Sequence, residues 1–185
     1  LVLERDRREA DDRQAVERRR QQAERAAGDR VEHRRAAADQ LVTRGGNRRA
    51  AEVLSEFSVH AATDVTGFGL AGHALGMARG VTLVLDWPAL PIYSGAFELA
   101  KEGVTCAGSR QNRAAYRDRI EFAVPPMASW EEILFDPQTS GGLLCAVRDS
   151  DAGPAVAALQ RAGIPAVRVG VVVAERPRPL ELWTK

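Results

Sequence analysis

Every proline and every aromatic residue of this 185-residue chain lies from Phe57 onward, and that asymmetry limits where a core can form. Residues 1–46 contain no Pro, Phe, Trp or Tyr. Between Glu4 and Arg35 stand 11 Arg and nine Asp or Glu, with five Ala and two Val as the only apolar residues. Such a stretch buries too little apolar surface to offset the entropy of ordering it. By itself it is a charged, solvent-exposed helix or a disordered arm. From Asn47 the chain reads as an ordinary domain, so the expected boundary lies near Gly45-Gly46, with a charged segment 1–46 and a folded domain 47–185.

The totals exclude more than they nominate. A net charge of +1 gives no global attraction to nucleic acid or to an anionic surface. No apolar run approaches the length of a membrane span and no secretory leader is visible, and Cys106 and Cys145 form no CxxC pair. A reducing, cytoplasmic setting is the expectation. Position 1 is Leu rather than Met, from which the start of the chain is expected to be missing.

Hydrophobic periodicity supplies a coarse architecture. Asn47–Phe57 carries one apolar stripe and reads as a helix, and Val59–Asp64 as a short extended stretch. Phe68–Arg79 reads as a helix closed by Gly80, and Val81–Asp86 as a buried strand. Short helices are expected at Ser94–Lys101 and Gln111–Arg119. Leu143–Val147 and Ala166–Val173 are apolar and β-branched enough for strands, with an amphipathic helix at Ser150–Gly163 between them. The sum is α+β: a mixed sheet of about four strands with helices packed against it, preceded by the charged arm.

Thr63-Asp64-Val-Thr66-Gly67-Phe68-Gly69 places a carboxylate, hydroxyls and glycines where the extended segment turns into a helix. A glycine turn exposes backbone N–H groups, and a helix N-terminus adds partial positive charge; both suit phosphate. An Asp at such a turn suits Mg²⁺, which binds through one or two carboxylates plus phosphate oxygens and water. The candidates are therefore Asp64 for metal and Thr66, Gly67 and Gly69 for the phosphate-bearing ligand. The Gly67-Phe-Gly69-Leu-Ala-Gly72 spacing also matches the dinucleotide fingerprint, with Asp86 at the end of the next strand. Against that rival, His60-Ala-Ala-Thr-Asp64 is too polar for a central parallel strand, and an acid at the turn repels phosphate unless a metal intervenes.

Two further loops carry polar and glycine residues: Asp136-Pro-Gln-Thr-Ser-Gly-Gly142 before the Leu143 strand, and Gly103–Asn112. Either is a ligand loop or an ordinary connection. His73 falls on the helix after the turn and is assigned packing or hydrogen bonding; His33 is assigned to solvent. Cys106 is expected on a loop and Cys145 in the core, neither with a base that makes it a nucleophile.

Thr63-Asp-Val-Thr-Gly-Phe-Gly-Leu-Ala-Gly-His-Ala74 together with Asp136-Pro-Gln-Thr-Ser-Gly-Gly-Leu-Leu144 resembles selenophosphate synthetase (selenide, water dikinase). The likeness covers residues 47–174, with Asn47-Arg-Arg-Ala-Ala-Glu52 upstream and the Gly170 strand at the end. It corresponds to that family's C-terminal domain, within the aminoimidazole-ribotide-synthetase-like superfamily of α/β sandwiches. The resemblance implies conversion of ATP, selenide and water to selenophosphate, AMP and phosphate, the selenophosphate serving as selenium donor for selenocysteine. It implies Mg²⁺ at Asp64, ATP and selenide as substrates, a homodimer when full-length, and no catalytic residue within this chain. It implies that the family's ATP-binding N-terminal domain, with its reactive Cys or Sec and its Lys, is not represented in 1–46. Where the family tends to have Pro-Gly-Gly, this chain has Cys106-Ala107-Gly108.

Two other readings stand beside it. The chain is another ATP-dependent synthetase of the superfamily, of hydrogenase-maturation or purine-pathway type, or a non-enzymatic binding module whose Arg-rich arm meets nucleic acid, which the near-equal count of acids disfavours. For the arm, out-of-frame translation is a further reading. Of the 26 basic residues only Lys101 and Lys185 are not Arg, which suggests a GC-rich gene. One codon choice for Leu3–Arg13, shifted by one nucleotide, yields a sequence ending in Lys-Leu-Thr-Thr-Ala, similar to the family's upstream segment.

Overall fold

The computed structural model describes residues 39–43, 47–139 and 141–183. In chain order the elements are β1 (Asp39–Thr43), α1 (Asn47–Leu54), β2 (Val59–Asp64), α2 (Gly69–Met77), β3 (Val81–Asp86), α3 (Ala96–Lys101) and α4 (Ala107–Tyr116). They continue with β4 (Ile120–Phe122), α5 (Ala128–Phe135), β5 (Leu143–Val147), α6 (Asp149–Arg161), β6 (Ala166–Ala174) and β7 (Leu180–Trp183). The α+β class is as expected. Among the described residues the sheet holds seven strands, in the order β2-β5-β1-β6-β3-β7-β4, where about four were expected.

Alternation along the central strands divides the apolar residues between two faces. Leu143, Cys145 and Val147 of β5 pack with Ala50 and Leu54 of α1 and Ala152, Ala155 and Leu159 of α6. Leu144, one residue out of phase, joins the opposite cluster with Ala71, Ala74 and Leu75 of α2 and Leu134 and Phe135 of α5. All five β5 residues are buried, as a strand covered on both faces requires. Each fully buried Leu, Val or Phe side chain among them contributes about 1.5–3 kcal/mol relative to exposure.

The dinucleotide rival fails on topology. β2 pairs only with β5, antiparallel, and three strands separate it from β3. A dinucleotide unit needs neighbouring parallel strands on either side of its helix. Asp86, at the end of β3, is thereby carried far along the sheet from the Gly67 turn.

Two boundaries differ most from expectation. The helix expected from Gln111 begins at Ala107, because Cys106 caps it: its Sγ accepts the Ser109 N–H at 3.4 Å. The second difference lies within the 1–46 segment. Asp39–Thr43 is a strand, paired antiparallel with β5 on one side and β6 on the other. The compact unit containing it runs from Ala36 to the end. Leu41 and Val42 are the apolar pair that a composition average over the 46-residue charged segment conceals. Residues 1–38, with the expected helical or disordered arm and its out-of-frame reading, lie outside the described residues, as does His33.

A chain beginning at Ala36 should unfold in one cooperative transition, whereas one beginning at Asn47 should lose cooperativity, because removing β1 leaves β5 and β6 unpaired along one side. Urea denaturation followed by circular dichroism and tryptophan fluorescence checks this; equal midpoints would show that β1 contributes nothing.

Candidate functional site

The chain leaves β2 at Asp64 and enters α2 at Gly69 through Val65–Phe68. Val65 is buried, and its N–H bonds the Gly142 carbonyl at 2.9 Å, continuing the β2–β5 ladder by one residue. Asp64, one residue before, therefore points away from the core and is exposed. The turn that follows is tight: Gly69 N–H bonds the Thr66 carbonyl at 3.0 Å, and Gly69 adopts φ +67°. A side chain there would also lie 2.8 Å from the Phe135 backbone, so conformation and space both demand glycine.

α2 begins without a side-chain cap. The N–H groups of Gly67 and Phe68 make no intramolecular hydrogen bond among the described residues. Unpaired donors at an uncapped helix N-terminus are the ingredients of an anion site. Of the residues expected to meet the phosphate ligand, Thr66 and Gly69 have their N–H groups occupied, by His73 and by the Thr66 carbonyl. Gly67 keeps its donor, and a Cβ there would meet nothing within 4 Å.

His73 ties the turn together, the hydrogen-bonding role expected for it. Its Nε2 accepts the Thr66 N–H at 3.0 Å and lies 3.0 Å from the Thr66 hydroxyl. A nitrogen that accepts from a backbone N–H carries a lone pair, so the ring proton resides on Nδ1, 3.3 Å from the Thr63 hydroxyl. That hydroxyl in turn donates to the Asp64 carbonyl at 3.2 Å. One imidazole thus clasps the threonines on both sides of Asp64. Burial pushes its pKa below the ordinary value, with the Asp64 charge opposing the shift.

The two other polar loops converge on this turn. Gly141 packs so closely against the Val65 carbonyl that a Cβ would lie 2.1 Å from its oxygen. Gln138 N–H bonds the Thr66 carbonyl at 3.1 Å. From the Gly103–Asn112 stretch comes Asn112, buried in α4, whose amide donates to the carbonyls of both Gly67 and Phe135 at 2.9 Å. Ser109 Oγ lies 3.3 Å from Asp136 Oδ1, and Gln138 donates to Oδ2 at 3.0 Å. Burial raises the Asp136 carboxyl above its usual range despite these bonds. Asn47, at the start of α1, reaches the Gly141 carbonyl at 3.3 Å.

The sequence did not single out Asn112, Ser109 or Asn47 for a role. A buried Asn with two carbonyl partners leaves no local sequence signal, since its partners lie 45 and 23 residues away. Cys106 is exposed and its pKa is lowered by the Ser109 hydroxyl and N–H; Cys145 is buried in β5, as expected. His60 is exposed. Among the described residues no group of three or more His, Cys, Asp or Glu is arranged to hold a metal, so Asp64 offers one carboxylate. No helix among them is long and apolar enough to cross a membrane.

The profile of the family described as AIR synthase related protein, C-terminal domain, matches residues 13–179. The chain belongs to this family. It is similar to selenide, water dikinases: 42% identical to that of Agathobacter rectalis over 135 residues, 72% of this chain and 40% of that protein. The enzyme of Nitratidesulfovibrio vulgaris is 42% identical over 138 residues, 74% of this chain and 39% of that protein. The chain thus spans about two fifths of the length of these relatives. Among solved structures, hydrogenase maturation protein HypE in complex with ATP superposes with a TM-score of 0.53 at 16% identity, covering 82% of this chain and 49% of that one. This likeness concerns the fold.

The clasp predicts a pH dependence. The folded-state pKa of His73 lies below the unfolded value of about 6.5. The stability it contributes is therefore complete above about pH 6.5 and declines as pH falls toward the folded value, where the unfolded chain takes up the proton first. His73→Gln should remove that part of the slope. Urea midpoints of both proteins at pH 8 and pH 5.5 check this; equal slopes would contradict the assignment.

Proposed function

We propose that this chain is the C-terminal domain of a selenide, water dikinase, presenting Asp64 as a Mg²⁺ ligand to an ATP-binding domain. One observation carries the reading: an exposed carboxylate beside an uncapped helix N-terminus, on a turn locked by the Asp136–Gly142 loop. Those two segments are the ones whose sequences resemble the dikinase family, and dikinases are among the relatives at 42% identity.

The donor set suits Mg²⁺. A single outward carboxylate leaves most of the coordination sphere to water and phosphate oxygens, which is how this ion binds in phosphoryl-transfer sites. Asp64 would hold it, and when bound it would supply positive charge that offsets the negative charge developing during phosphoryl transfer. The protein's own part is positional. The Gly67 and Phe68 N–H groups would meet the anion, His73 ties the Thr63 hydroxyl before Asp64 to the Thr66 N–H after it, and Asn112 holds the Gly67 carbonyl. Thr66 and Gly69 then act by shaping the turn, and Gly67 is the phosphate contact.

In this reading ATP, selenide and water are converted to selenophosphate, AMP and phosphate in an assembly that joins this domain to the ATP-binding half, as a cytoplasmic homodimer. The chain alone forms no AMP from ATP and selenide. The test replaces the C-terminal part of the Agathobacter rectalis enzyme with residues 36–185 of this chain. The chimera should form AMP in a selenide-dependent way, and Asp64→Asn should lower its kcat by about a hundredfold or more, the scale for removing one electrostatic stabiliser of a transition state. A chimera unaffected by Asp64→Asn would contradict the role, and selenide-dependent AMP formation by the unaltered 185-residue chain would contradict the division of labour.

A further inference from the structure

A cavity of about 270 Å³ opens beside the motif loops, and phosphoryl transfer to a small anion gives it no task. Its walls come from Leu70, Leu90, Ile92, Ala96, Leu99 and Ile133, between the segment leading into α3, the end of α5 and the first turn of α2. One end is polar, formed by Asp136, Gln138 and the backbone of Gly141 and Gly142, with Glu132 nearby. Two lining residues are acidic and none is basic. The electrostatic character of the space is thus opposite to that of the Gly67 turn, and phosphate is disfavoured in it.

The two acids differ in how they are neutralised. Glu132 is tied to the Arg113 guanidinium at 3.3 Å and accepts the Thr105 hydroxyl. Among the described residues Asp136 has no cation: its oxygens are met by the Ser109 hydroxyl and the Gln138 amide. A half-buried carboxylate with neutral partners gains from an incoming positive group more than a solvated one does, because burial has already removed much of its hydration. The Gln138 amide N–H₂ faces Asp136, which leaves its carbonyl oxygen as a further acceptor.

The mouth of the cavity is apolar and exposed. Tyr93, Leu99 and Val104 are 60%, 51% and 57% accessible, three of the eight large hydrophobic residues left exposed among the described residues. Exposed apolar side chains gathered around a concavity mark binding surfaces. The volume equals that of about nine waters at liquid density, enough for a single ring with a short polar substituent.

We infer that this cavity is a binding site for a small organic cation, an aromatic or alicyclic ring bearing an amine or amidine that pairs with Asp136 while the ring fills the space between α3 and α5. The site is distinct from the Asp64 turn and accepts a ligand of opposite charge. It holds whether or not the domain serves a dikinase.

Benzamidine is the probe, with benzoate as its anionic counterpart and benzyl alcohol as the neutral one. In ¹H–¹⁵N correlation spectra of the 185-residue chain, benzamidine should shift amides in Leu90–Val104 and Ile133–Gly142 with an affinity in the millimolar range, as a ligand of so few atoms permits. Benzoate should bind about tenfold more weakly or not at all. Asp136→Asn should reduce benzamidine affinity about tenfold while leaving benzyl alcohol unchanged, and Ala96→Phe, which fills the cavity, should abolish both. If Ala96→Phe unfolds the chain, the comparison of charges in the unaltered protein still decides. No benzamidine shift in those segments up to tens of millimolar would overturn the proposal. Equal binding of benzoate would also overturn it. So would rim resonances that broaden with protein concentration and ignore the probe, since the face would then be an interface between copies.

Discussion

Two backbones touch at the centre of this structure, and much else follows from that contact. The Val65 carbonyl lies against Gly141 where no Cβ could be accommodated, and a Cβ on Gly69 would lie only 2.8 Å from the Phe135 backbone. Side chains could not mediate these approaches, because each adds at least the radius of a methyl group between the chains. The contact joins the turn after the edge strand β2 to the loop that enters the central strand β5. Asp64 thereby inherits the rigidity of the sheet although it is exposed on its edge. A carboxylate intended for a metal gains from such support, since displacement of a ligand by an ångström weakens what it can do.

The same contact explains the division of polar groups around the turn. With the Thr66 carbonyl taken by Gly69 and Gln138, and the Thr66 N–H by His73, the peptide units flanking Thr66 have their internal partners. Among the described residues the donors left over include those of Gly67 and Phe68, at the positive end of α2. Asn112 holds the Gly67 carbonyl from behind. A negative ligand would therefore meet N–H groups that no described residue occupies. On the far side of the same loops the arrangement is reversed: the Asp136–Gly142 segment turns acceptors toward an apolar cavity. One loop cluster thus presents two surfaces of opposite electrostatic preference.

How much of this the sequence revealed depended on how local each signal was. The strands Val59–Asp64, Val81–Asp86 and Leu143–Val147 and the helix following Gly69 are legible because periodicity and glycine placement act over a few residues. β4 and β7, of three and four residues, are too short to carry a period and form through parallel pairing with each other and with β3. β1 was hidden by the charged composition around it. At the site, the motif named Asp64, Thr66, Gly67 and Gly69, but the partition between residues that shape the turn and the one that offers a free N–H needed the His73 bonds. Asn112 was out of reach, because both of its carbonyl partners are long-range.

The central claim is that the Val65–Gly69 turn and the Asp136–Gly142 loop form one unit anchored to the sheet. Native-state hydrogen exchange of two amides tests it: Val65 N–H, bonded to the Gly142 carbonyl, and Gln138 N–H, bonded to the Thr66 carbonyl. Under exchange conditions that report opening free energies, both should open with the β5 amides, in the global unfolding transition. Exchange of Val65 and Gln138 through a low-energy local opening, while β5 stays protected, would show a turn that moves independently of the sheet and would contradict the account.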